Sequence, residues 1–155
     1  MIIRTKRLVL RPFEMEDIAW YYDLVQDSEL TSTLRNLQVD TVEEAKKHLM
    51  IFSNGDCQND FYYVIADKNK NVLGIIIAVK ITRRTFDVSY FLKKEYRHNG
   101  YMHEALENLV ETIREEDPFL RMRLQIEKGN VASFNVAKKF DPVIHEKEDN
   151  YMCYI

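Results

Sequence analysis

Thr85-Phe86-Asp87-Val88-Ser89-Tyr90-Phe91-Leu92, then Lys93 to Asn99, then Gly100-Tyr101-Met102 and on to Glu116, is the stretch whose reading decides the fold. The first eight residues are rich in β-branched and aromatic types and read as a strand. The last part sets Met102, Ala105, Leu106, Leu109, Val110 and Ile113 at i, i+3, i+4, i+7, i+8 and i+11, one apolar face at helical period. Between strand and helix lies a basic bend with a single glycine. The first N–H groups of a helix lack intrahelical partners and carry partial positive charge. A glycine-opened helix directly after a strand therefore suits an anion, and the expectation is a phosphate-bearing cofactor at this junction.

Downstream, Asp117-Pro118 stops the helix and Leu120 to Ile126 alternates as a strand. Strand, helix and strand over 85–126 imply a parallel crossover, right-handed in nearly all proteins. Asn130 to Phe140 reads as a helix with Val131, Phe134, Val136, Ala137 and Phe140 as its apolar content. Asp141-Pro142 ends it, since Asp tolerates the left-handed conformation common just past a helix. Val143-Ile144 and Tyr151 to Ile155 make a final hairpin around Glu146 to Asn150.

Upstream, Phe61 to Ala66 and Val72 to Lys80 form a hairpin around the polar turn 67–71, and Thr82-Arg83-Arg84 leads into the opening strand. Arg7 to Arg11 alternates as a half-buried strand ended by Pro12. Asp17 to Val25 is a short amphipathic helix, with Trp20, Tyr21 and Tyr22 read as core and rim. Residues 27–40 show no clear period and read as a loop, a helical turn at most. Thr41-Val42-Glu43-Glu44 is a capping box opening a helix with Val42, Ala45 and Leu49 inward, broken at Asn54-Gly55-Asp56. The order β-α-α-β-β-β-α-β-α-β-β predicts one domain over 1–155. Its fold class is α+β (mixed α/β), a mostly antiparallel mixed sheet of about seven strands with about four helices.

At 155 residues the chain is long enough for a real core, and 46% hydrophobic with 30% charged residues argues against disorder. A net charge of −3 argues against nucleic acid as a partner, which needs a basic surface. Cys57 and Cys153 stand far apart without ligand spacing, so neither a disulfide framework nor a metal is expected, and the usage suits a reducing compartment. The N-terminal residues lack a signal-peptide apolar region, and the longest apolar run, Val72 to Val79, is too short to span a bilayer. The expectation is a cytoplasmic protein with no membrane partner.

Arg97-His98-Asn99-Gly100-Tyr101-Met102, after a strand and opening a helix, resembles the acetyl-CoA signature R-x-x-G-x-G/A of the GNAT superfamily of N-acetyltransferases. Thr5 to Pro12 resembles the opening strand of the branch containing the ribosomal-protein N-terminal acetyltransferases. Gly100-Tyr101-Met102-His103-Glu104-Ala105 resembles that branch's G-Y-[AM]-T-E-A, and Asn130-Val131-Ala132-Ser133 its N-x-x-S. The chain departs from the signature at Met102, usually a small residue, and at Asn99, often lysine or glycine. Methionine leaves the backbone donors intact.

The resemblance implies acetyl-CoA as co-substrate and a primary amine as acceptor, favouring a protein or peptide N-terminal α-amine. Polyamines, amino acids and aminoglycosides stay open as acceptors, as does a homodimer. The backbone N–H groups from His98 to Met102 would cradle a pyrophosphate, with Arg97 adding charge. The family splays the two strands around this helix, so backbone groups of Tyr90, Phe91 and Leu92 would pair with the pantetheine arm, and Asn130 would hydrogen-bond it. Asp87 is the first candidate for general base and Glu127 the second. Asp87 also reads as a strand residue balanced by Arg83 or Arg84. Alternation sets Asp87, Ser89 and Phe91 on one strand face and Val88, Tyr90 and Leu92 on the other. The family's usual tyrosine acid falls at Ala137, which leaves Ser133 as the implied replacement, a residue that equally reads as a helix N-terminal hydroxyl. Glu104 reads as a partner of Arg97 or a first-turn carboxylate. His98 and His103 add charge only when protonated. The missing tyrosine motivates a rival reading, a CoA-binding sensor that has lost turnover.

Overall fold

A computed structural model of the chain describes residues 1–34, 37–54 and 60–155. Its strands are β1 (Ile3–Arg4), β2 (Leu8–Pro12), β3 (Phe61–Asp67), β4 (Val72–Thr82), β5 (Thr85–Leu92), β6 (Arg121–Glu127), β7 (Val143–Glu146) and β8 (Asn150–Tyr154). They form one sheet in the order β1-β2-β3-β4-β5-β6-β8-β7. Every neighbouring pair is antiparallel except β5 with β6, the predicted crossover. The α-helices are α1 (Ile18–Val25), α2 (Ser28–Thr33), α3 (Val42–Asn54), α4 (Tyr101–Glu116) and α5 (Val131–Lys138).

The mixed, mostly antiparallel sheet and the order of its elements agree with the sequence reading; the described residues hold one strand and one helix more than expected. β1 is two residues long, pairing Ile3 with Leu10 and Arg4 with Val9, too short to show alternation. α2 is six residues long and starts at Asp27, whose carboxylate accepts the N–H groups of Glu29 and Leu30. That cap replaces the missing apolar period as its cause. The capping box of α3 is present: Glu44 N–H donates to Thr41 Oγ1 and Thr41 N–H to the Glu44 carboxylate. Asp141 takes the expected left-handed conformation, φ 50°. Val42, expected inward, is 41% exposed, and Val131, counted in the apolar content of its helix, is 64% exposed. Each is the first residue of its helix. Gly55, Asp56 and Cys57 lie outside the described residues.

Alternation along the strands builds a core on each sheet face. Tyr63, Ile65, Ile76, Val88 and Leu92 point to the side covered by α4, whose six predicted apolar residues are all buried. Val64, Ile75, Ile77 and Phe91 point to the other side, under Tyr21, Leu24, Leu30, Ala45 and Leu49 of α1, α2 and α3. Gly74 of β4 lies opposite Leu92, where a Cβ atom would press into the Phe91 carbonyl and Leu92.

One departure from a regular sheet matters for function. β5 and β6 pair only at Thr85–Arg121, Phe86–Met122 and Asp87–Arg123. Beyond that rung β5 stays with β4 as far as Leu92, and β6 stays with β8 as far as Glu127. The two strands part and leave a wedge between them, open at the end where α4 begins.

Candidate active site at the strand wedge

Two left-handed residues shape the bend that closes the wide end of the wedge, His98 at φ 62° and Gly100 at φ 77°. Gly100 is the N-cap of α4 and makes no side-chain cap. Glu104 N–H gives the first bond back to the Gly100 carbonyl, at 3.1 Å. The N–H groups of Tyr101, Met102 and His103 therefore have no intrahelical acceptor and concentrate the helix dipole. A Cβ atom on Gly100 would meet only the Arg7 guanidinium, 3.5 Å away, in an otherwise open space. Orphan donors, two left-handed residues and open space beside them fit the diphosphate of a nucleotide-like cofactor. Among the described residues no group of three or more metal-ligating side chains occurs.

The cation beside this cradle is Arg7, a residue the sequence reading did not single out. Its Nη1 donates to the Asn99 carbonyl at 2.9 Å, its guanidinium lies 4.5 Å over the Tyr101 ring, and its Nε reaches Glu104 Oε2 at 2.6 Å. Glu104 Oε1 also accepts Thr5 Oγ1 and the Arg7 N–H. Of the two readings of Glu104, a first-turn carboxylate holds, while its guanidinium partner is Arg7 where Arg97 was the expected one. Arg97 is held elsewhere: Nε donates to the Leu92 carbonyl at 2.9 Å and Nη1 to Glu29 Oε1 at 2.6 Å, with Phe91 beneath. It ties the end of β5 to α2. Asn99 donates its amide to the Arg97 carbonyl at 2.9 Å, which steadies the bend.

Burial pulls the Glu104 carboxyl up, but the hydrogen bonds from Thr5 and Arg7 outweigh it and hold the group below the usual carboxylate range. A carboxyl depressed in the folded state stabilises the fold above its unfolded pKa, and that contribution fades as pH falls through the folded value. Glu104→Gln should therefore lower stability by about 1–3 kcal/mol at neutral pH. The deficit should shrink in acid, below the ordinary carboxylate range. Urea titrations at pH 7 and pH 3 check this, and a deficit equal at both would contradict the assignment.

Along the wedge β6 leaves the edge of β5 beyond Asp87 without a partner strand; Tyr90 and Leu92 turn their backbone groups toward it, the Leu92 carbonyl being taken by Arg97 Nε, while the Phe91 carbonyl faces β4. On the other side Asn130 caps α5, its Oδ1 accepting Ser133 N–H at 3.0 Å. Tyr90 crosses the gap, its hydroxyl donating to the Ser133 carbonyl at 3.4 Å, and burial pushes this phenol up to about 12. Ala137, one turn further along α5, is fully buried. Alternation had already set Tyr90 on one strand face with Val88 and Leu92; the crossing itself has no local signal.

The two carboxylates named from sequence stand apart. Asp87 occupies the last paired rung, at the vertex of the wedge, where Arg123 Nε donates to it at 2.7 Å; its expected partners Arg83 and Arg84 lie elsewhere. Arg84 instead pairs with Asp117. Glu127 ends β6, exposed, its carbonyl accepting Asn130 N–H at 2.9 Å. It is four residues beyond Arg123, roughly 13 Å along the strand. One reacting atom cannot touch both carboxylates.

A family model described as an acetyltransferase (GNAT) domain matches residues 7–141. The Bacillus subtilis (strain 168) protein named "Uncharacterized N-acetyltransferase YnaD" is 27% identical over 139 residues, 90% of this chain and 81% of that protein. Among solved structures, the ribosomal L7/L12 α-N-protein acetyltransferase RimL with coenzyme A superposes with a TM-score of 0.80 at 17% identity, covering 99% of this chain and 96% of that one. A spermidine N-acetyltransferase from Vibrio cholerae, with CoA and spermine, gives 0.80 at 14% identity, covering 96% and 94%.

Proposed function

This chain belongs to the GNAT acetyltransferase family and is an acetyl-CoA-dependent N-acetyltransferase, and from that premise we propose that its acceptor is a protein or peptide N-terminal α-amine, acetylated in the cytoplasm. Acetyl-CoA supplies an acyl group activated as a thioester. The chain's part is to grip that donor and to admit an amine. The orphan N–H groups of Tyr101, Met102 and His103, with His98, Asn99 and Gly100 shaping the bend and Arg7 beside it, would hold the diphosphate. The open edge of β5 around Tyr90, Phe91 and Leu92 would pair with the amides of the arm through the Tyr90 backbone and the Leu92 N–H, and Asn130 and Ser133 would meet it from α5.

The observation that carries this reading is the wedge itself. A sheet gives up backbone hydrogen bonds only where something else satisfies them, and an amide-bearing arm led in from a phosphate cradle does so. The preference for an α-amine rests on its pKa of about 8 against about 10.4 for a lysine, which leaves far more neutral nucleophile at neutral pH. Asp87 at the vertex or Glu127 at the rim would take the amine's proton. The fold shared with the L7/L12 enzyme supports the N-terminal reading, and the fold shared with the spermidine enzyme supports a polyamine.

Thermal melting tests the grip: at about a hundredfold excess of acetyl-CoA over its dissociation constant, stabilisation should be about 2.7 kcal/mol. Thiol release on a panel of N-terminal peptides, polyamines and amino acids then ranks acceptors. Peptides should lead. A polyamine in first place would overturn the acceptor assignment, and binding without release on any amine would favour the sensor reading. A base contributes ~100- to 10,000-fold, so Asp87→Asn or Glu127→Gln should lose turnover by such a factor. Full activity in both would remove them from the mechanism.

A further inference from the structure

A guanidinium beside a carboxylate often makes two parallel hydrogen bonds to it. Arg123 and Asp87 do not. They make a single bond, Nε to Oδ1 at 2.7 Å, although they face each other on the last shared rung of β5 and β6. The Tyr154 hydroxyl on β8 stands beside the guanidinium, and the His145 ring of β7 meets Tyr154 edge-on. Apart from that hydroxyl, no described residue bonds the Arg123 Nη groups, and none bonds Asp87 Oδ2. The two side chains are 25% and 34% exposed, so a ligand can reach both free ends. Asp87 shares its strand face with Phe91, which packs under α1 to α3, and the pair therefore opens on the face opposite α4.

The pair also lies where a reacting amine must stand. Asp87 comes five residues before Leu92 on β5, roughly 17 Å along the strand. An arm running from a diphosphate to a thioester sulfur is about twelve bonds long, as four extended residues are, and spans roughly 14 Å. Led in beside Leu92, it brings its acyl carbon to within about one residue of the vertex. We propose that the half-made Asp87–Arg123 pair reads an acceptor that carries a carboxylate a few bonds from its amine. The amine stands against Asp87 Oδ2 and the carboxylate accepts from Arg123 Nη1 and Nη2. This rests on the acetyl-transfer reading above and deepens it: the preferred peptide begins with aspartate or glutamate. A free amino acid shares the chemistry, since its α-carboxylate stands at a similar spacing. A polyamine finds Asp87 but brings only further positive charge to a guanidinium that is charged at every working pH.

Thiol release on isosteric peptide pairs tests this, N-terminal aspartate against asparagine and glutamate against glutamine. The wild-type protein should prefer the acid of each pair by about ten- to a hundredfold in kcat/KM, the effect of a hydrogen bond to a charged group. In Arg123→Gln the preference should shrink to within about threefold of unity. Arg123→Lys, which keeps the charge but not the planar fork, should fall between the two. The wild-type ratios decide the matter alone if either variant fails to fold. Acid and amide accepted alike by the wild type, or a preference that survives in Arg123→Gln, would overturn the inference and leave peptide acetylation standing. Free aspartate or alanine ahead of every peptide, with the lead lost in Arg123→Gln, would keep the carboxylate contact and overturn the peptide reading alone. A polyamine ahead of every peptide and amino acid would overturn both.

Discussion

Gly74→Ala is expected to destabilise the protein by about 3 kcal/mol or more, lowering the melting midpoint by roughly 6–12 °C for a chain of this size. The cause is a single methyl group. A Cβ atom at this position of β4 would press into the Phe91 carbonyl, a backbone atom that no rotamer change can move aside, and would also crowd Leu92. The glycine therefore secures the close approach of β4 to the end of β5, where the strand carries the unpaired edge of the wedge. Acetyl-CoA affinity should fall along with stability, because moving Phe91 and Leu92 moves the groups proposed to pair with the arm. Melting and acetyl-CoA titration of the same variant check both effects. An unchanged midpoint would mean that β5 yields freely, and with it the claim that this strand is held in place for its ligand would fail.

Gly100→Val should have the opposite balance, a modest loss of stability and a large loss of binding. Gly100 has φ 77°, a region that a β-branched residue occupies only with strain of about 1–3 kcal/mol. The space around it is open, so there is little steric penalty from neighbours. The side chain would instead occupy the open space beside Arg7 at the start of α4, where the diphosphate is proposed to sit. Affinity for acetyl-CoA should fall by about a hundredfold or more, while α4, anchored by its buried face, still forms. Isothermal titration beside circular dichroism separates the two. Binding retained within about threefold would place the diphosphate elsewhere.

Which of these features the sequence announced follows from how local their causes are. The face of α4 was legible because a 3.6-residue period within sixteen residues needs no knowledge of the partner. The capping box at Thr41 and the left-handed Asp141 are likewise set within four residues. The parallel crossover followed from order alone. What stayed hidden joins residues remote in sequence: Arg7 with Glu104, Arg97 with Glu29, Asp87 with Arg123, Tyr90 with Ser133. Each depends on strand register and on which element folds over which. A basic residue in a signature is easily read as touching the ligand, yet Arg97 is taken up by Leu92 and Glu29, and Arg7, ninety residues upstream of it, stands at the cradle. α2 escaped because a six-residue helix held by a cap and one buried leucine has too few turns to show a period.

The sheet keeps two cores out of contact, one beneath α4 and one beneath α1, α2 and α3. Such a partition lets a protein open on one side at a time. Hydrogen exchange should accordingly resolve two cooperative units, with the amides of α1 to α3 trading for deuterium well before those of α4 and β6. The side expected to loosen first is the one bearing α2, next to the rim where an acceptor would enter; the side expected to hold bears the bend proposed to take the diphosphate. An enzyme divided in this way can reshape its acceptor side around amines of differing bulk without releasing its donor.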